Sequence, residues 1–210
     1  MGSANLLQMK MDPADPLRVY VDQIFASAAK AAGLTKGMLA FGGKQAIELK
    51  AHRIGFLVRD MEKLLRRLVP QQIELEIAIG DDSTVMADKA LIDQVLMNLT
   101  INARDAMPQG GRLRIGTKRA QIDGAFEKID GYARPGTYAV VSVADTGIGM
   151  AKETLQKAFD PFFTTKEVGT RTGLGLSVVY GVVRQHDGYI TAYSEPGAGT
   201  AFHIYLPASD

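Results

Sequence analysis

Pro70 separates two kinds of hydrophobic periodicity, and this switch constrains the fold more than any other feature of the chain. Before it, apolar residues recur at helical spacing. After it, short stretches alternate apolar and polar residues, as strands do, and are interleaved with helical segments. Residues 72–79 and 84–87 read as strands. Asp88 caps a helix running to Met107, strands follow at 111–120 and 136–144, and residues 152–160 and 174–185 read as a short and a longer helix. Strands at 189–194 and 200–206 close a hairpin around Pro196-Gly197. Strands with one apolar face and helices with one apolar stripe bury both by stacking. The expected class is therefore α+β, a two-layer sandwich with a sheet on one side and helices on the other.

Composition narrows the function. The 210 residues are 46% hydrophobic and 22% charged, the balance of an ordinary globular domain, which excludes collagen-like and disordered classes. Lysine and arginine number 24 against 23 acidic residues, so the basic excess of nucleic-acid binders is missing and no nucleic-acid partner is expected. Without cysteine there is no disulfide framework, thiolate metal site or cysteine nucleophile. His52, His186 and His203 are too widely spaced to read as a zinc set. No apolar run reaches membrane-spanning length and no signal-peptide pattern opens the chain, so no membrane contact and a cytoplasmic location are expected.

The first 43 residues read as a separate helical unit. Met1-Gly2-Ser3 resembles a tag remnant, and residues 4–11 begin in mid-helix without a cap. Asp15 is a good N-cap and Pro16 a good first helical residue for a helix over 16–41, which Gly42-Gly43 would stop. Along it Leu17, Val21, Ile24, Ala28 and Ala31 recur at alternating spacings of four and three, as in the a/d seam of a coiled coil. Two antiparallel helices bury such a seam in a symmetric four-helix dimer, so a homodimer is expected. The alternative is a helix lying on its own domain. Residues 44–70 then read as a polar linker, 44–53, with a helix over 54–69, and 71–210 as the main domain.

Four polar, glycine-bearing pieces carry the chemistry. Asn98, Asn102 and Asp105 share one helix face at spacings of four and seven, opposite the apolar Leu91, Val95, Leu96, Leu99 and Ala103. Carboxamide oxygens there suit Mg²⁺, which takes its other ligands from water and phosphate; a solvated face is the plainer reading. Asp145-Thr146-Gly147-Ile148-Gly149 follows a strand on which Asp145 shares the apolar side with Val141 and Val143. A carboxylate aimed at a core needs a donor, and an adenine amino group is one; a turn aspartate is the other reading. Phe159-Asp160-Pro161-Phe162-Phe163-Thr164-Thr165-Lys166 runs into a polar loop with the pattern of an anchored lid. The loop ends at Thr172-Gly173-Leu174-Gly175, where a helix start offers free N–H groups to phosphate. Last comes Gly197-Ala198-Gly199-Thr200, a turn on the simplest reading. Each glycine pattern is weak alone; their order, spacing and flanking structure together are specific.

In that order the pieces resemble the ATP-binding catalytic domain of sensor histidine kinases. The stretch Asn98-Leu99-Thr100-Ile101-Asn102-Ala103-Arg104-Asp105-Ala106-Met107 is similar to the family's N box. The other segments resemble its G1, F, G2 and final glycine boxes, across roughly residues 50–207. The resemblance implies the Bergerat ATP-binding fold, shared with gyrase and Hsp90, and ATP with Mg²⁺ as ligands. It implies that Asn102 holds Mg²⁺, that Asp145 binds the adenine amino group, and that Gly147, Ile148 and Gly149 line the base pocket. Phe162, Lys166, Arg171 and Thr172 would belong to a lid. Gly173, Leu174, Gly175 and Leu176 would face the phosphates, with Asn98, Asp105 and Thr200 completing the nucleotide site.

Hydrolytic members of the wider fold family place a water-activating glutamate four residues before the metal asparagine, and here that position is Asn98. A carboxamide is a poor base, so Asn98 argues for phosphoryl transfer, with the role of orienting Mg²⁺-bound water or touching phosphate. The family's phosphoacceptor histidine, on the first helix of the dimerisation hairpin, is not in this sequence. The expected partners are the histidine-bearing helix of the parent kinase and a response-regulator receiver domain. His186 reads as a helix C-cap and His203 as a sheet residue. Arg171 stands where the family usually has glycine; a guanidinium there meets the γ-phosphate, stiffens the lid or points to solvent, and Lys166 is similarly placed on the lid, at the phosphates or away from them. A serine kinase or ATPase on the same fold, and a nucleotide-gated interaction module without catalysis, are the alternatives.

Overall fold

A computed structural model describes residues 47–122, 134–165 and 172–209, together with Asp15, Tyr20 and Val21. Apart from Val21, the residues of the dimer seam expected over 16–41 lie outside the described residues, as do Lys166 and Arg171.

The elements are β1 (Lys50–Arg53), α1 (Ile54–Leu68), β2 (Ile73–Ile79), β3 (Thr84–Ala87), α2 (Lys89–Ala106), β4 (Gly111–Ile122) and β5 (Gly136–Asp145). They continue with α3 (Lys152–Gln156), α4 (Gly175–Gln185), β6 (Tyr189–Glu195) and β7 (Gly199–Pro207). Five strands form one sheet in the order β2-β4-β5-β7-β6. Only β2 and β4 are parallel; the other pairs are antiparallel, so the sheet is mixed.

Strand alternation decides what each face meets. Leu113, Ile115, Val141, Val143, Phe202 and Ile204 point to one side, where they join one core with Leu57 and Leu65 of α1, Leu96 and Leu99 of α2, and Val179 and Val182 of α4. The opposite face carries a smaller cluster built on Tyr138, Tyr189 and Tyr205, with the last two rings stacked at 4.6 Å. Helices thus cover one face, and the α+β class expected from the sequence is the class observed.

Asp88 caps α2 as its sequence position requires, accepting from the N–H groups of Ala90 and Leu91 at 3.0 and 3.3 Å. Two elements differ from expectation. Residues 50–53, read as linker, form β1 and pair antiparallel with β3, from Lys50 with Ala87 to Arg53 with Thr84. Its four residues, Lys-Ala-His-Arg, carry no alternating signal, and its partner is distant in sequence. The helix expected to reach Asp160 stops at Gln156. Beyond it Ala158 N–H bonds Leu155 O and Asp160 N–H bonds Lys157 O, tighter turns of three residues that lead into Pro161.

Candidate functional site

A cleft of about 280 Å³ opens between the polar stripe of α2, the C-terminal end of β5 and the start of α4. That is near the lower end of small-molecule pockets, roughly 300–1,000 Å³.

Its first wall is α2. Asn98, Asn102 and Asp105 all line the cleft, and so does Ile101 between them. Helical spacing alone would have found Ile101, which shares their face. The Asn98 Nδ2 donates to the Gly175 carbonyl at 3.3 Å and ties this wall to the facing helix. Asp105 pairs with Arg104 at 2.9 Å, so its charge is partly balanced where it borders the cleft. Among the described residues no cluster of three or more histidine and acidic side chains could cage a metal. A divalent cation here would rest on the Asn102 carboxamide, which sits against the start of α4, and on phosphate oxygens.

The floor is the end of β5. Asp145 is buried, and burial pushes its pKa up, while backbone N–H groups of Gly147 and Thr200 pull it back down. The Gly147 N–H lies 2.9 Å from Oδ1. Oxygen lone pairs left over face a cleft that Ile148, Gly149 and Thr200 also line. Gly147, expected in the pocket wall, is not part of it. Its bare Cα lies against the end of α2 instead, where a Cβ would stand 2.5 Å from the Ala106 carbonyl oxygen. That approach lets Ile148 N–H bond the same carbonyl at 2.9 Å. Gly197, in the β6–β7 turn, donates to Ile148 O at 2.7 Å, so the last glycine segment supports the loop from outside.

The third wall combines the segment after α3 with the start of α4. Phe159 packs on Tyr180 and Phe202, at 5.9 and 6.2 Å between ring centres, and anchors this segment to the core. Phe162, expected to line the site, does not. Its side chain is exposed, and its φ of 67° turns the chain so that Phe163 lines the cleft in its place. Thr164, Thr165 and Thr172 border the cleft on either side of the undescribed residues. Gly173, Gly175 and Leu176 reach it as well, but Leu174 is buried in the core. Gly173 has a φ of 66° and touches the Phe162 backbone so closely that only glycine fits, which brings both ends of the intervening segment together. Met150, Thr154, Ala158 and Phe202 line the cleft too, beyond the residues that the glycine-bearing pieces mark. Phe202 reaches the cleft because β7 pairs with β5, a relation no local pattern reports.

An acceptor-rich floor facing an uncapped helix start defines a nucleotide-binding domain of the two-layer type. Residues 87–210 match the family described as histidine kinase-, DNA gyrase B-, and HSP90-like ATPase, and the chain belongs to that family. It is 41% identical over 206 residues to the sensor kinase CckA of Brucella abortus (strain 2308), across 98% of this chain and 22% of that protein. It therefore spans about a fifth of this relative's length. Full-length ShkA in complex with AMPPNP superposes with a TM-score of 0.72 at 26% identity, over 99% of this chain and 42% of that one. The histidine kinase ThkA in complex with the response regulator protein TrrA gives 0.64 at 25% identity, over 99% and 56%. The chain is an ATP-binding catalytic module of the sensor histidine kinase kind.

Proposed function

We propose that this module binds Mg·ATP in the cleft and donates the γ-phosphoryl group to a histidine on a dimerisation helix, for relay to a response-regulator aspartate. In this reading Asp145 accepts a hydrogen bond from the adenine amino group. Asn102 holds Mg²⁺, and Gly173, Gly175 and Leu176 border the phosphates, with Lys166 and Arg171 assigned to the lid above them. Bound Mg²⁺ would neutralise charge that develops on the transferring phosphoryl. Dependence on ATP supports a cytoplasmic location, and the seam within 16–41 supports a homodimer in the intact kinase.

The observation that carries transfer over hydrolysis is Asn98. Its carboxamide has no basic site near neutral pH, and its N–H is already given to Gly175 O. Two of the chain's three histidines, His186 and His203, support an acceptor supplied from elsewhere. His186 is buried, with Nδ1 bonded to Val182 O at 2.7 Å and Nε2 accepting the Asp88 N–H. His203 alternates with the core residues Phe202 and Ile204, so it lies on the sheet face away from the helices.

The test supplies γ-labelled ATP with a separate helical hairpin bearing the acceptor histidine. Acid-labile label on the hairpin is expected. Steady phosphate release without transfer, lost on Asn98→Ala, would instead make the protein an ATPase.

A further inference from the structure

Ser194, on β6, lies outside every segment that the site draws on, yet its hydroxyl joins two of them, the loop after β5 and the start of β7. It accepts the Met150 N–H at 2.8 Å, donates to the Gly199 carbonyl at 2.9 Å, and stands 2.9 Å from Thr200 Oγ1. A serine hydroxyl has one hydrogen and two lone pairs. One lone pair takes Met150 N–H. The hydrogen must go to Gly199 O, since a carbonyl brings none of its own and two bare oxygens at that distance repel. What is left for Thr200 is the second lone pair, so Thr200 is the donor in the Ser194–Thr200 contact.

We infer that Ser194 is a positioning residue that sets base specificity by committing the Thr200 hydroxyl hydrogen away from the cleft. Thr200 lines the cleft and pairs in register with Asp145 on the neighbouring strand. With its hydrogen spent, its oxygen offers a ligand only lone pairs. The Asp145 carboxylate beside it offers only lone pairs too, having already taken N–H groups from Gly147 and Thr200. Two acceptors side by side match an exocyclic amino group, directly or through a water. They oppose a carbonyl oxygen in the same place, as hypoxanthine and guanine carry. Unassisted, a threonine hydroxyl rotates and accepts or donates as its ligand requires, and the discrimination falls to Asp145 alone.

The inference rests on the cleft being the nucleotide site, and the experiment separates the two. Binding of Mg·ATP and Mg·ITP to the full chain is measured by calorimetry for the wild type, Ser194→Ala, Ser194→Thr and Thr200→Val. ITP differs from ATP in bearing the carbonyl where ATP bears the amino group. Ser194→Ala frees the Thr200 hydrogen to donate to that carbonyl. The ATP-to-ITP affinity ratio should fall about three- to tenfold, the worth of one hydrogen bond. Ser194→Thr restores the hydroxyl and should restore the ratio. In a Thr200→Val background, Ser194→Ala should leave the ratio unchanged. A purely structural role, loosening the loop at Met150, would weaken both nucleotides alike and keep the ratio, which overturns the inference while leaving the site intact. Failure of the wild type to bind ATP, or ATP binding unaffected by Asp145→Asn, would overturn the site assignment and this inference with it.

Discussion

The backbone N–H of Asp88 donates to Nε2 of His186 at 3.0 Å, joining the N-terminus of α2 to the C-terminus of α4. The same imidazole bonds Val182 O through Nδ1, so both ring nitrogens are used and the tautomer is fixed as Nδ1–H. At the start of α4, Asn98 in the middle of α2 holds Gly175. Helix α4 is thus tied to α2 at both of its own ends, and its placement against the first half of α2 is set by the fold before any ligand arrives.

Removing the buried clamp should cost stability. His186→Ala leaves the Asp88 N–H without its acceptor, a loss worth about 1–3 kcal/mol when the group stays buried, while the Val182 carbonyl loses the imidazole but keeps the backbone N–H of residue 186. Denaturant unfolding of the variant beside the wild type measures it. A midpoint unchanged by the substitution would show that water takes over both bonds.

Nucleotide affinity should depend on pH through Asp145. Burial raises its pKa, so protonation begins at a higher pH than for an ordinary aspartate. The adenine amino group needs the ionised acceptor, so affinity should be full above the raised pKa and should fall as pH drops through it. Unliganded stability moves the opposite way. A carboxyl whose folded pKa is raised adds stability below its unfolded value, and that contribution is lost as pH rises through the folded value. Calorimetry between about pH 4 and pH 7 on wild type and Asp145→Asn cancels the nucleotide's own titration. Asn brings an amide N–H towards the same donors, so affinity near neutral pH should fall roughly tenfold or more and this pH response should vanish. A parallel pH profile in the two proteins would remove Asp145 from the site.

Gly147 and Gly175 should separate folding from binding. A Cβ on Gly147 would strike the Ala106 carbonyl at 2.5 Å, so Gly147→Ala should destabilise the protein by about 1–3 kcal/mol although residue 147 does not line the cleft. At Gly175 the nearest atom to a Cβ is Asn102 Nδ2 at 3.8 Å, an ordinary contact. Gly175→Ala should therefore keep the melting temperature and act only on the cleft. Equal melting shifts for the two variants would contradict the packing described for the glycine loop.

Magnesium should act through Asn102. The wild type is expected to bind ADP more tightly with Mg²⁺ than with a chelator, and Asn102→Ala should lose most of that gain while retaining chelator-state binding. A full magnesium response in Asn102→Ala would move the metal to other oxygens.

Much of this was legible beforehand because its causes are local. Alternation placed Asp145 on the buried side with Val141 and Val143, and helical spacing placed Asn98, Asn102 and Asp105 together, both as observed. The Asp88 cap needed only its own next three residues. Gly147, Leu174 and Phe162 show the limit. Each sits in a segment recognised correctly, but whether it lines the cleft, packs on α2, enters the core or turns outward was decided by a neighbouring element. Strand β1 and the Ser194 hydroxyl gave no local sign at all.

Residue order alone was enough to give the periods, the caps, the two-layer class and the groups with suitable chemistry for a nucleotide. It could not show that Met150 would meet Ser194, or Asp88 meet His186, because those bonds join segments far apart in the chain. Periodicity is imposed by bonds that close within one turn or one strand pleat, and so it is written in consecutive residues. Hydrogen bonds between elements form only where packing brings donor and acceptor within about 3 Å, and that distance exists only once the sheet and helices have stacked.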